Sequence, residues 1–123
     1  MASNINRGPR QIWLALIWSL KGLRAGWRTE ASFRLEVILF AILFPIGLWL
    51  GDGAVEKALL AGSLLPVLAA EMLNSAVECL VDKLWPELDE TAGRAKDMGS
   101  AAVFLLMLNM LAIWGVILLP RAF

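Results

Sequence analysis

Between Glu71 and Asp82 the chain reads Glu-Met-Leu-Asn-Ser-Ala-Val-Glu-Cys-Leu-Val-Asp. At 3.6 residues per turn, Glu71, Asn74, Ser75, Glu78 and Asp82 fall on one face of a helix that is otherwise apolar. In a membrane such a stripe is costly: each ionisable group near the bilayer centre costs roughly 2.5–3.5 kcal/mol on insertion scales, and a column of like charges costs more. It therefore calls for cations, partners or water. Glu30, on a different element but at the same expected depth as Glu78, adds a second carboxylate. Two carboxylates converging from separate helices are the hard oxygen ligands suited to a Mg²⁺ that carries nucleotide phosphates. Glu71 lies one to two turns deeper, where it is placed to accept a proton. A polar stripe also glues helices together, so a purely structural role competes with the chemical one.

A second group of candidates lies in the run Glu87-Leu88-Asp89-Glu-Thr-Ala-Gly-Arg94-Ala-Lys96-Asp97-Met-Gly99-Ser100. Lys96 would neutralise phosphate charge or snorkel to headgroups, and Asp97 would accept hydrogen bonds from an adenine or ribose or cap a helix. The chain has no His, which removes the commonest general base and every Ser-His or Cys-His nucleophile scheme. Acid–base work falls to carboxylates or lysines. No GxxxxGK[ST] stretch or kinase Gly-rich loop is present, so a nucleotide site here is of an unrelated design. The single Cys79 sits in an apolar stretch and reads as a small hydrophobe.

The elements that must position these residues are membrane helices. Of 123 residues, 59% are hydrophobic, more than a soluble core of this size can hide. From about residue 9 to 27, Ile12, Trp13, Leu16, Ile17, Leu20, Leu23 and Trp27 recur at helical spacing while Lys21, Arg24 and Arg28 share another face. This predicts an amphipathic helix on the membrane surface. Three apolar segments follow at about 30–50, 54–81 and 98–119, joined by a Gly51-Asp52-Gly53 turn and a polar loop from Trp85 to Asp97. The fold class is thus all-α: a surface helix plus three transmembrane helices in a single domain over residues 1–123. Residues 1–8 lack the apolar core of a removable signal. Arg7, Arg10, Lys21, Arg24, Arg28 and Arg34, with Lys83, Arg94 and Lys96, outnumber Lys57 at the first turn, which predicts a cytoplasmic N-terminus and second loop. The six Trp fall mostly near predicted boundaries and read as anchors. Eleven basic residues balance eleven acidic ones, leaving no net charge to argue for nucleic acid.

Three stretches then resemble one known family, the prokaryotic membrane diacylglycerol kinases. They are Lys21-Gly-Leu-Arg-Ala-Gly-Trp27 with Glu30 and Phe33-Arg34, Glu71-Met-Leu-Asn-Ser-Ala-Val-Glu78, and Gly93-Arg-Ala-Lys-Asp-Met-Gly-Ser-Ala-Ala102. The likeness spans nearly the whole chain. It implies a homotrimeric helical bundle in the bacterial inner membrane, with composite active sites between subunits that phosphorylate diacylglycerol with ATP to give phosphatidic acid. By the same resemblance, Glu71 is the general base and Asn74 shapes the site, Glu30 and Glu78 hold Mg²⁺ with the ATP phosphates, and Lys96 and Asp97 bind nucleotide. Glu87, Leu88 and Asp89 would face the adenosine. Lipid contacts would come from the surface helix, Glu36, Trp49, Lys57, Glu71, Ser100 and the third span. Gln11 stands where the family often has Arg at a nucleotide or lipid contact, Trp18 where a nucleotide-contacting Tyr is familiar, and Leu20 where Trp is familiar. Two other readings stay open: an undecaprenol kinase of the same class, or a small oligomeric channel or assembly subunit.

Overall fold

The structure, a computed structural model, describes residues 8–122. Arg7 and the segment that bears on a removable signal lie outside the described residues. Every regular element among them is helical: α1 (Pro9–Thr29), α2 (Ala31–Leu50), α3 (Gly53–Gly62), α4 (Leu65–Leu84) and α5 (Glu90–Ala122).

Helix α1 starts at Pro9, whose fixed φ and missing N–H suit a first helical position. Its large apolar residues, Ile12, Trp13, Leu16, Leu20 and Leu23, are exposed, and Gly26 alone is buried. This is the amphipathic helix expected. It ends at Glu30, a single extended residue (φ −115°, ψ 106°) that closes α1 and opens α2. Arg34 fixes that corner: its Nη1 donates to the Trp27 and Arg28 carbonyls at 2.9 and 3.3 Å, satisfying acceptors that a helix C-terminus leaves open.

Three rods are long and apolar enough to cross a membrane: Ala31–Leu50, Gly53–Leu84 and Glu90–Ala122. In the most apolar stretch of the middle rod 39% of residues are buried, against 11% and 6% in the rods beside it, so α3–α4 is the centre and the other two present apolar faces outward. The Gly51–Asp52 turn, continued by Gly53 at φ +82°, where a side chain would be strained, reverses the chain between α2 and α3. The end of α5 returns to that turn, with Arg121 donating to the Leu50 carbonyl at 3.0 Å and pairing with Glu56. Neighbouring rods therefore run antiparallel. The Glu30 corner and the 85–89 loop share one end of the molecule.

Two features differ from the sequence expectation. The second crossing is interrupted at Ser63–Leu64, because Pro66 has no N–H for the Gly62 carbonyl and its ring crowds it. The Leu64 N–H turns to Ala61 O at 3.3 Å, and the freed Leu60 carbonyl accepts from Ser63 Oγ (2.9 Å) and Trp114 Nε1 (3.0 Å). Trp114 is accordingly a hydrogen-bond donor to a helix break and not a boundary anchor. The close approach this needs is made at Gly47 of α2, where an added Cβ would lie 3.2 Å from Leu60 Cβ and 3.3 Å from Trp114 Cζ2.

The second difference is that α5 begins at Glu90, eight residues before the predicted start, so the loop shrinks to Trp85–Asp89. Asp89 is the cause. Its Oδ2 accepts the Ala92 N–H at 2.8 Å and its carbonyl the Gly93 N–H at 2.9 Å, while Glu90 puts an acid in the first turn. Asp97 is thus inside a helix and caps nothing. Asp89→Ala is expected to cost about 1 kcal/mol of local helix stability. Amide hydrogen exchange in lipid nanodiscs checks this, with Ala92 and Gly93 exchanging roughly fivefold faster and the far end of α5 unchanged.

Candidate functional site

The inward face of α4 carries Ala70, Glu71, Asn74, Ser75 and Val81. Glu71, Asn74 and Ser75 are each only 7% exposed, Glu78 is half-buried and Asp82 is exposed, so the predicted stripe runs from the protein interior to its surface. Within it Asn74 Nδ2 donates to Glu78 Oε1 at 3.3 Å. Asn74 Oδ1 and Ser75 Oγ are buried without a hydrogen-bond partner among the described residues. Unmet polar atoms of this kind cost stability and signal a site that something else completes.

Two carboxylates come to the stripe from the other side. Glu30, half-buried at the α1–α2 corner, and Glu78 both lie close enough to Glu71 for their charges to act on it. Glu36 of α2 does so as well, and its Oε2 is a third buried oxygen without a partner among the described residues. The corner reaches α4 because Gly26 has no side chain: a Cβ there would sit 2.7 Å from Met72 Cε and 3.3 Å from Phe33 Cδ1. Beside Glu36 an apolar cavity of about 260 Å³ opens between α2, α4 and α5, lined by Leu39, Phe40, Leu43, Val67 and Met107 among others.

Helix α5 contributes the cation. Lys96 Nζ pairs with Asp82 Oδ1 at 2.9 Å, with both side chains partly exposed, and lies near enough to Glu78 to feel its charge. An exposed pair holds little energy, so Lys96 exchanges this partner readily. The same lysine lines a cleft of about 210 Å³ with Asp82, Trp85, Glu87, Leu88 and Asp89. Asp97 is exposed and is not part of that lining, and Ser100 is exposed one turn above Lys96.

The chain thus brings Glu30, Glu36, Glu71, Asn74, Glu78 and Lys96 into one neighbourhood and sets Glu87–Asp89 beside it. Four expected contacts stand apart. Gln11 and Trp18 lie roughly four and two turns back along α1 from the Gly26 crossing. Trp49, 81% exposed, and Lys57 flank the Gly51 turn at the opposite end, about 20 Å along their helices from Glu36 and Glu71. Among the described residues no three acidic or thiol side chains form a ready-made metal cage. Sequence reasoning gave no positioning role to three residues: Arg34, Trp114, and Gly99, where an added Cβ would overlap Asn74 Oδ1. The run of small residues Gly99–Ala102 was the available signal for that last approach.

Fold and site together define a small polytopic helical membrane protein with an acidic, half-buried cluster and, beside it, Lys96 at a single membrane end. The chain belongs to the prokaryotic diacylglycerol kinase family, whose sequence model matches residues 17–118. It is 45% identical over 101 residues to a diacylglycerol kinase of Haemophilus influenzae, covering 82% of this chain and 86% of that one. To the Escherichia coli (strain K12) diacylglycerol kinase it is 42% identical over 118 residues, 96% of each chain, and to that of Pseudomonas aeruginosa 39% over 112 residues, 91% of each. Membership makes it an enzyme, a kinase.

Proposed function

We propose that the protein transfers the γ-phosphate of MgATP to the primary hydroxyl of 1,2-diacylglycerol, giving phosphatidic acid at the cytoplasmic face of the bacterial inner membrane in phospholipid recycling. The observation that carries this reading is the buried Glu71–Asn74–Glu78 stripe, with unmet polar atoms, facing Glu30 and Glu36 at the end of the bundle where Lys96 and the 85–89 cleft lie. The relatives' names supply the lipid. The basic residues of α1 and of the 83–96 region support a cytoplasmic N-terminus.

In the reaction the lipid hydroxyl oxygen forms a bond to the γ-phosphorus as the bond from that phosphorus to the bridging oxygen breaks and ADP leaves. Glu71 accepts the hydroxyl proton, and Asn74 holds the neighbouring Glu78 carboxylate. Lys96 turns from Asp82 to the phosphates, and Glu87, Leu88 and Asp89, lining the same cleft, lie against the adenosine. Asp97, one residue past Lys96, meets the nucleotide at the rim of the cleft, and Trp18 and Gln11, roughly two and four turns back along α1, would reach one only in a neighbouring subunit's site. Lipid is held by Glu36, Glu71 and Ser100, with the apolar cavity beside Glu36 open to a chain, while Gln11 on the surface helix and Trp49 and Lys57 at the far turn would meet lipid away from the reacting hydroxyl.

The donor set fits Mg²⁺: hard carboxylate oxygens, two from Glu30 and Glu78, too few for a cage but enough for an ion that arrives with phosphates. Bound there, the ion supplies charge neutralisation on the phosphates. Phosphoryl transfer has a loose transition state, so alignment and charge carry most of the catalysis. The barely buried apolar faces of α2 and α5, and the incomplete donor set, support a homotrimer whose sites are finished by a neighbouring subunit.

Phosphate transfer from ATP in mixed micelles tests this. Mg²⁺-dependent labelling of dioleoylglycerol at several times the rate for undecaprenol is expected. The opposite ratio makes the protein an undecaprenol kinase. No transfer to either lipid, with solute flux in proteoliposomes, makes it a channel.

A further inference from the structure

Where α5 passes α4, Gly99 lies against Asn74 so closely that a Cβ on it would overlap Asn74 Oδ1 and sit 3.3 Å from Cγ. The Gly99 backbone therefore packs directly against that oxygen, in space that any side chain at 99 would fill. Oδ1 is otherwise buried and without a partner among the described residues. The opposite end of the same carboxamide, Nδ2, donates to Glu78 Oε1. From these contacts we infer that Gly99 is a positioning residue for the metal-holding carboxylate: its backbone pins the Asn74 amide with the donor end toward Glu78, and so orients Glu78.

The orientation matters because a carboxamide is ambidextrous. Turned over, Asn74 would set its oxygen against the Glu78 carboxylate, two acceptors face to face. Partners that orient a metal ligand in this way typically change metal affinity 10- to 100-fold when lost. An alanine at 99 leaves the amide no room to stay, whereas the nearest atom outside the carboxamide, Asn74 Cα at 3.6 Å, is at ordinary contact distance. The conflict is with the carboxamide alone.

The inference rests on the reading of Glu78 as a metal ligand, and the test separates the two. Mn²⁺ is titrated into the purified full-length protein in lipid nanodiscs with a non-hydrolysable ATP analogue, and bound metal is read by electron paramagnetic resonance. Absence of protein-dependent Mn²⁺ binding in the wild type overturns the metal reading itself. With binding present, Gly99→Ala is expected to weaken it about tenfold. Gly115→Ala, on the same helix with its nearest neighbour at 3.7 Å, changes it less than twofold. In the Asn74→Ala background the Gly99→Ala change adds nothing further, since the group it displaces is gone. A Gly99→Ala protein that binds as the wild type does, or a double variant clearly weaker than Asn74→Ala, overturns the inference. Should the single variant not fold, the double variant decides: it folds and binds metal as Asn74→Ala does.

Discussion

Glu71→Gln is expected to lower kcat for diacylglycerol about a thousandfold while leaving KM for MgATP within about twofold. A positioned general base contributes some 10² to 10⁴ in rate, and the amide keeps the shape and loses the proton acceptance. The accompanying stability measurement distinguishes chemistry from glue. Glu71 sits 7% exposed within reach of the charges of Glu30, Glu36 and Glu78, so neutralising it removes like-charge repulsion. Thermal unfolding in the same micelles should occur at or above the wild-type temperature. A variant that loses stability and activity in step has lost a structural residue, and the base is then elsewhere.

Glu78→Gln is expected to act on the metal requirement. The Mg²⁺ concentration for half-maximal rate should rise at least about tenfold and kcat at saturating Mg²⁺ should fall about a hundredfold. Glu78 accepts from Asn74 at 3.3 Å and is half-buried, so the substitution leaves a neutral side chain of the same size in the same place. Glu30→Gln should give the same pattern from the other helix. A Glu78→Gln enzyme with unchanged Mg²⁺ dependence removes this residue from the metal site.

Much of this arrangement was legible in the residues. Hydrophobic length gave the three crossings and amphipathic spacing gave α1, because both depend on near-neighbour periodicity alone. The stripe from Glu71 to Asp82 was visible for the same reason, and the structure turns its upper part inward. What escaped depends on partners far along the chain. The early start of α5 was hidden because the Glu90–Asp97 stretch is polar and reads as loop, while its cap is one carboxylate, Asp89, on one N–H. Pro66 lay in plain sight, yet the apolar run around it read as one helix, and the break holds because Trp114, some fifty residues on, supplies the missing donor. The closeness of Gly99 to Asn74 exists only once α4 and α5 lie side by side. Glu36 entered only through family resemblance, and its buried, unmatched oxygen now gives a physical reason to place it with Glu71.

Helix α5 is one rod of 33 residues, about 50 Å long, against a hydrocarbon core of about 30 Å. Arg121 fastens one end to the Leu50–Glu56 corner, and Lys96 meets Asp82 near the other. The helix therefore works as a gauge block, setting the height and bearing of the lysine from a fixed point on the far side of the membrane. One residue inserted between them would lift Lys96 by about 1.5 Å and swing it by about 100°. Along this stretch, Gly99 and Trp114 apart, the number of residues between the two fastenings constrains the helix more than the identity of the apolar residues that fill it.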